Sequence, residues 1–464
     1  MNKVLAAIGV MVTLGIAECY AQLSPFDETA LFMTLSATSV QAQLSEFDAN
    51  QPIGWAALGN GTTGDETNTV YHVTTYEEMK NAFKKINGTI QDRTVYFDAD
   101  IYVPEKFFIG QAKNLTLYGK PGTRLYNRVH TTVQDESGIF YFKECENVII
   151  RNITMECAGA FDNSSADNMQ LVTCKNVWVD HCDFIDGVDG CLDIKTGSDN
   201  ITITWCRFRY LLPPWPDGKG GADDHRFPLL IGSGDKNTED IGHLNTTIAY
   251  CWFDEGCMER TPRVRKGKIH VVNCDYTNVG ANYLVGPGYL ANIYEEKCDM
   301  TAIDLNLPNN ADFTKNTQDG SKTLEWKNYA TEKNYKDFNL VITDVLGGED
   351  VKASVGGQPF YNPYDDGSDV GVKAYDKTLV KAFVEDEETG AGATLDYDLL
   401  ATRGNNSQRE TTAIKGIADK SQRQVVSASY YNAAGMRFST PQQGLNMVRY
   451  QMSDGTTKTV KMNY

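Results

Sequence analysis

One hydrophobic signature recurs through the middle of the chain. Short runs rich in Val, Ile and Thr appear as Val148-Ile149-Ile150-Arg151-Asn152-Ile153, Val177-Trp178-Val179-Asp180-His181-Cys182, Ile201-Thr202-Ile203-Thr204-Trp205-Cys206, Thr246 to Cys251 and Ile269 to Cys274. Runs of this length and composition predict strands, and no helical spacing separates them. Aligned on one another, they place Cys182, Cys206, Cys251 and Cys274 in one column. The column before it reads Asn152, His181, Trp205, Tyr250 and Asn273. Asn147, Asn176 and Asn200 each stand just ahead of a run, 29 and then 24 residues apart. A repeat of that period with one such strand per unit predicts a parallel β-helix, in which equivalent side chains stack as ladders about 4.8 Å apart. The cysteine column becomes an interior ladder of small apolar thiols, and Cys145 with Cys174 makes a second, shorter one. Zinc is disfavoured because no CxxC pair is present. Whether neighbouring thiols are oxidised stays open.

Other patterns flank the repeat. From Thr75 to Ile86, Met79, Ala82, Phe83 and Ile86 fall at helical spacing behind a capping threonine. A helix there would cover the open end of the first coil, since an exposed sheet end needs protection. The solenoid is expected over residues 52–330, followed by an acidic, tyrosine-containing arm packed on it over 331–404. A polar linker follows over 405–424, and the alternation over 425–464 predicts a small β module. At the other end, Met1-Asn2-Lys3 and the apolar stretch from Val4 to Ala17 have the length of a signal peptide, too short for a membrane span of roughly 20 residues. The expected signal peptide covers residues 1–21 and an N-terminal linker 22–51. Because Ala21-Gln22-Leu23-Ser24 recurs as Ala42-Gln43-Leu44-Ser45, cleavage after Ala42 is the alternative to cleavage after Ala21.

Composition changes this picture in one place. The chain of 464 residues carries 43 Lys and Arg against 61 Asp and Glu, a net charge of −18. That balance disfavours nucleic acid and anionic membranes as partners. Yet Arg260, Arg263, Arg265, Lys266 and Lys268 fall within nine residues. A local reversal of sign on an acidic chain points to a site for an anionic partner.

Three ordered motifs then carry a resemblance. Asn176-Val177-Trp178-Val179-Asp180-His181, Asp189-Gly190-Cys191-Leu192-Asp193 with Ile194-Lys195, and Arg260-Thr261-Pro262-Arg263-Val264-Arg265 with His270-Val271-Val272-Asn273 resemble the pectate lyase family, collinearly over roughly residues 52 to 330 and including Gly286-Pro287-Gly288. The resemblance implies an all-β, right-handed parallel β-helix, in agreement with the repeat. It also implies a secreted, monomeric, calcium-dependent enzyme that cleaves polygalacturonate by β-elimination. Asp167, Asp189 and Asp193 would ligate Ca2+, a cation that takes six to eight hard oxygen donors at about 2.3–2.6 Å. In a straight strand, residues four apart lie about 13 Å from each other, so Asp189 and Asp193 share an ion only if the chain bends, and Gly190 can allow that. Arg260 maps on the catalytic arginine and Arg265 on a substrate-binding one, with Arg263, Lys266 and Lys268 as supporting charge. Arg260 either takes the C5 proton or stabilises charge while water or hydroxide takes it, because a guanidinium normally stays protonated.

One departure concerns Asp224-His225-Arg226-Phe227-Pro228-Leu229-Leu230-Ile231-Gly232. The family commonly has a lysine before the Leu-Ile-Gly segment. Here Arg226 stands one position off the simplest alignment, and is assigned to a substrate carboxylate. His225 is a candidate catalytic group set against a structural reading, and His181 belongs to a structural turn. The loop Tyr210 to Pro216 either stacks sugars or packs Trp215 on the coil. The last 40 residues resemble the sorting domains of Por-type secretion. The rivals to a pectate lyase are a pectin lyase, a hydrolase and a non-catalytic polysaccharide-binding solenoid. A hydrolase needs paired carboxylates around the bond, and no such motif accompanies the arginines.

Overall fold

The computed structural model describes residues 50–163, 166–221, 224–303 and 325–395, and the backbone of strands Val425–Tyr431, Arg437–Phe438, Leu445–Met452 and Thr457–Asn463. The expected signal peptide, nearly all of the 22–51 linker and the 405–424 linker lie outside the described residues.

Each turn of the chain gives one strand to each of three parallel sheets, so the solenoid is a right-handed parallel β-helix. The long sheet has eleven strands, running from Val70–Val73 through Glu146–Arg151, Lys175–Asp180, Asp199–Thr204, Thr246–Ala249 and Lys268–Val272 to Phe338–Thr343 and Val351–Val355. Phe338–Thr343 still pairs in parallel with Asn292–Glu296, so coil stacking continues past residue 330; Val351–Val355 closes the sheet antiparallel. A second sheet, termed here the groove sheet, orders Phe107–Gly110, Phe140–Lys143, Met169–Val172, Leu192–Lys195, Leu229–Ile231, Arg263–Val264 and Gly286–Pro287. The third has seven strands from Ile101–Tyr102 to Asp275–Tyr276.

The two aligned columns form the corner between the long and third sheets. Asn152, His181, Trp205, Tyr250 and Asn273 all take left-handed backbone angles, with φ of 57°, 48°, 52°, 59° and 51°. A residue with a side chain gives up roughly 1–2 kcal/mol there. Stacking offsets it, with His181 and Trp205 ring centroids 5.6 Å apart and Trp205 and Tyr250 5.0 Å apart. The turn then drives the next residue inward. Cys182, Cys206, Cys251 and Cys274 are fully buried, Cys298 extends their column, and all ten described cysteines are free thiols. The asparagine ladder is also present: the Asn147 amide donates to Asn114 at 2.7 Å and that of Asn200 to Asn176 at 3.0 Å.

The Val177 to His181 motif is structural. Buried Arg151 donates to Asp180 at 2.7 Å and lies over the Trp178 ring, whose Nε1 donates to Thr204 at 2.8 Å. Thr204 Oγ1 in turn donates to Asp180 at 2.6 Å, and His181 Nδ1 lies 2.9 Å from the same carboxylate. Burial works against ionising Asp180, but His181, Arg151 and these hydrogen bonds hold it at about 2.

Cover on the long sheet decides where a site can lie. The N-terminal segment crosses its outer face: Trp55 N donates to Thr247 Oγ1, Ala56 N to Thr202 Oγ1 and Asp65 N to Thr116 Oγ1. The arm covers the adjoining corner. Asn273 exchanges two hydrogen bonds with the Tyr375 backbone, at 3.0 and 2.7 Å, and Asn152 does the same with Leu395, at 3.1 and 2.9 Å. At one end, Tyr76–Ala82 is a helix with the expected Thr75 cap, made into a capping box by Glu78. Met79, Ala82 and Phe83 join the main core. Ile86, expected on the same face, is 53% exposed, because the helix ends at Ala82 and the chain turns into a bridge between Ile86 and Thr89.

Residues 405–464 form a separate compact unit, whose described strands make a four-stranded antiparallel sheet.

Candidate active site

Because side chains alternate across a strand, every second residue of the groove sheet faces outward. In register from coil to coil, one outward row reads Phe108, Tyr141, Gln170, Asp193, Leu230 and Arg263. An acid and an arginine therefore stand two coils apart, about 10 Å along the sheet.

The three predicted acids converge. Asp193 lies on strand Leu192–Lys195, and Asp189 on the turn that enters it. That turn pairs with the one bearing Asp167, through Asp189 N to Ala166 O and Asn168 N to Gly190 O, both at 3.2 Å. Burial first, and then the negative charge of Asp193 with that of Asp189, push the Asp167 carboxyl well above the usual range, while Lys195 pulls the other way. Gln170 Nε2 donates to Asp167, and Lys195 Nζ donates to Asp193 at 2.7 Å. Burial also works against the Lys195 charge, but Asp193 and Asp167 hold it protonated above the normal lysine range. Gly190 serves this cluster by space rather than by a left-handed angle. A Cβ there would sit 2.7 Å from Asp167 Oδ1, and Gly190 is not among the residues of positive φ. The donor set suits a hard divalent cation: the oxygens are carboxylate, and the cation's charge would reverse the cost of ionising buried Asp167.

Two further groups border the acids. His225 Nε2 lies 3.4 Å from Asp189 Oδ1, and its Nδ1 lies 3.7 Å from Asp162 Oδ2. These three side chains are close enough to share one ion. Burial and then the Arg260 guanidinium push the His225 imidazole down to about 4, against Asp162 and Asp193, so it is neutral at neutral pH.

The basic run divides. Arg260 takes a left-handed φ of 62°, like the other corner residues of the coil, just ahead of strand Arg263–Val264. Its guanidinium lies 4.2 Å from the centre of the Phe227 ring. Arg263 lies 3.8 Å over Tyr329, and burial, then Arg265 and Arg260, lower its pKa to about 10. Neither Arg260 nor Arg263 has an acidic partner among the described residues, and the Nε of each is buried without a hydrogen bond. Arg265 directly follows strand Arg263–Val264 but donates to Asp235 at 3.0 Å and to the Gly232 carbonyl at 3.0 Å. Arg226 is gripped twice by Asp224, at 2.8 and 2.6 Å. Lys266 and Lys268 do not join the site. Lys266 and Gly267, with φ of 57° and 72°, turn the chain onto the long sheet. Lys266 Nζ is tied to the Gly234 carbonyl, and Lys268 pairs with Asp366.

Sequence reasoning left Arg263 as supporting charge, and named no role for Lys195, Gln170 or Asp162. Period-2 alternation from the inward Val264 is a signal that could have placed Arg263 on the groove face. Trp215 takes the packing role: its Nε1 donates to Ala158 O at 2.9 Å, and its ring stacks on His130 at 4.1 Å.

Known proteins share this architecture. The pectate lyase family description matches residues 28–319. A pectate trisaccharide-lyase of Thermotoga maritima is 27% identical over 258 residues, 53% of this chain and 62% of that relative. A pectate lyase of Emericella nidulans is 29% identical over 232 residues, 48% of this chain and 60% of the relative. The chain thus matches about three-fifths of the length of these curated relatives. Among solved structures, a Bacillus subtilis pectate lyase superposes with a TM-score of 0.52 at 17% identity, covering 75% of this chain and 98% of the other. A pectate lyase bound to a hexasaccharide gives 0.51 over the same shares. Matched by the family description over residues 28–319, more than half of its length, the chain belongs to the pectate lyase family.

Proposed function

We propose that the protein is a secreted calcium-dependent pectate lyase that cleaves α-1,4-polygalacturonate by β-elimination and yields 4,5-unsaturated oligogalacturonates. The observation that carries this reading is the pairing of opposites on one open sheet. Arg260 and Arg263, without acidic partners among the described residues, stand within about two coils of the converging Asp167, Asp189 and Asp193.

In the elimination the C5 proton leaves, its electron pair forms the C4–C5 double bond, and the C4–O4 bond breaks, the departing oxygen taking a proton. Asp167, Asp189 and Asp193 would hold a calcium ion, which when bound would neutralise the uronate carboxylate and so acidify that proton. Arg263, stacked on Tyr329, is placed to grip a carboxylate, for which the planar guanidinium is suited. Arg260 acts at C5. Its guanidine takes the proton, or its charge holds the enolate-like negative charge while hydroxide does so; both routes favour alkaline pH. Lys195 keeps Asp193 oriented, and Arg265, held by Asp235, adds positive charge at the same sheet. Arg226 as a carboxylate ligand would first have to leave Asp224.

The test is to digest polygalacturonate and follow both ultraviolet absorbance of the unsaturated product and new reducing ends. Arg260→Ala is expected to lower kcat by at least about 100-fold, and full activity in that variant would sink the assignment. Reducing ends without absorbance mean a hydrolase, and binding without cleavage means a binding module. Faster action on highly methylated pectin than on pectate would favour a pectin lyase. Export rests on the Val4 to Ala17 stretch, and sorting on the C-terminal strands; the mass of the released protein tests both.

A further inference from the structure

The outward row of the groove sheet continues three coils past Asp193, through Gln170 and Tyr141 to Phe108, about 14 Å away. The elimination chemistry uses none of that far end. Phe108 is 54% exposed there. Its ring lies down against the sheet over Gly110. A Cβ on Gly110 would fall 2.5 Å from the ring's Cε1 and 2.6 Å from its Cζ. Gly110 is not among the residues of positive φ, so what the position requires is the missing side chain. Tyr141, on the next coil, continues the surface with its ring centroid 5.6 Å away and the planes 30° apart.

Charge beside this platform has one sign in excess. A depression of about 200 Å³ is lined by Lys85, Phe108, Gly110, Gln111, Lys143 and Glu144. Glu144 is engaged by Gln111 at 3.0 Å, and its contact with Lys143 is a loose, exposed 3.9 Å pair of little strength. Lys143 also shares a register row with Lys195, two coils and about 10 Å away. Two flat rings present an apolar face, as the C–H face of a pyranose requires, and two ammonium groups stand at its edge for a carboxylate.

We propose that Phe108, Tyr141 and Lys143 form a distal subsite for an acidic pyranose unit of the same polyuronate chain whose reacting unit lies at Asp193 and Arg263. This inference rests on the lyase reading and deepens it: the protein grips long acidic chains better than short ones. A single pyranose advances a chain by a distance comparable to one coil. A trimer whose end unit sits at Arg263 therefore spans the coils of Arg263, Leu230 and Asp193 and reaches neither Lys143 nor Phe108, whereas a hexamer spans all six coils to Phe108.

The test uses the full chain carrying Arg260→Ala, titrated calorimetrically with galacturonate trimer and hexamer. Adding Phe108→Ala or Lys143→Ala is expected to raise the hexamer Kd about tenfold and leave the trimer Kd unchanged. Gly110→Ala, which lifts the ring off the sheet, should act like Phe108→Ala. Both rings and Lys143 are exposed or half-buried, so an unchanged Tm verifies the fold of each variant. A hexamer Kd within twofold of the parent, or equal losses for trimer and hexamer, overturns the subsite. Equal binding of a neutral galactose hexamer, with the same loss in Lys143→Ala, also overturns its acidic character. Length-dependent binding by a wild-type protein that releases no unsaturated product would refute the lyase reading while leaving the subsite standing.

Discussion

Among single side chains, the site is distinguished by which charges are already committed. Four arginines lie on or near the groove sheet, and the chain itself neutralises two of them. Arg226 is forked onto Asp224 and Arg265 is held by one bond to Asp235 and one to the Gly232 carbonyl, whereas Arg260 and Arg263 rest on the rings of Phe227 and Tyr329. A guanidinium held by an aromatic face keeps its hydrogen-bonding edge for a ligand. Arg263→Ala should therefore lower kcat/KM on polygalacturonate by at least about tenfold, and Arg226→Ala by less than about threefold, since a committed ion pair has little left to give. Steady-state kinetics on both variants checks the ranking, and the reverse order would return Arg226 to the substrate. The spacing of Arg226 from Leu-Ile-Gly suggested a ligand. Its bidentate grip by Asp224, two residues away, is a matter of side-chain direction that spacing does not carry.

For the strands and turns, the sequence was legible where a repeat imposes a stack. Columns of cysteine and of asparagine predicted ladders, and both are present because register in a parallel coil is set by the inward residues. The corner column was visible only as a mixed set, Asn152, His181, Trp205, Tyr250 and Asn273; no propensity announces a left-handed Trp or Tyr. The lysines of the basic run were misplaced for a related reason. Two successive positive-φ residues, Lys266 and Gly267, carry the chain onto another face, so adjacency in sequence is not adjacency in the site. Burial of the thiol ladder has a direct consequence. In native protein an aqueous disulfide reagent should modify none of the ten described cysteines, and all ten should react after unfolding in denaturant, as thiol reactivity needs access to the thiolate. Rapid reaction of several thiols in the native state would contradict the interior ladder.

At the level of the whole molecule, cover and charge together single out one face. The N-terminal segment occupies the long sheet and the arm its corner with the third sheet, and of the remaining faces the groove sheet carries Asp193 and Arg263 in one outward row. The arm also introduces a pH dependence. Asp275 is buried where the coil meets Glu385 of the arm, and burial, then the Glu385 charge and hydrogen bond, raise its pKa to about 8. An acid whose folded pKa is raised contributes stability that is fully present below its unfolded value near 4 and is gone once pH has risen through about 8. Asp275→Asn should then raise Tm by at least about 2 °C at pH 9 and change it little at pH 4; thermal unfolding at the two values checks it, and an equal shift at both would remove the titration from the account. Buried Asp167 gives the central claim its sharpest consequence, because burial and the charges of Asp193 and Asp189 oppose its ionisation, a cost that a bound cation would reverse. The most direct measurement is the ultraviolet absorbance of polygalacturonate treated with the protein after chelation, and again after calcium is restored. We expect absorbance to stop with the chelator and to return with calcium, in step with new reducing ends. Absorbance that continues without calcium, or reducing ends that appear without it, would contradict the calcium-dependent elimination assigned to Asp167, Asp189, Asp193 and Arg260.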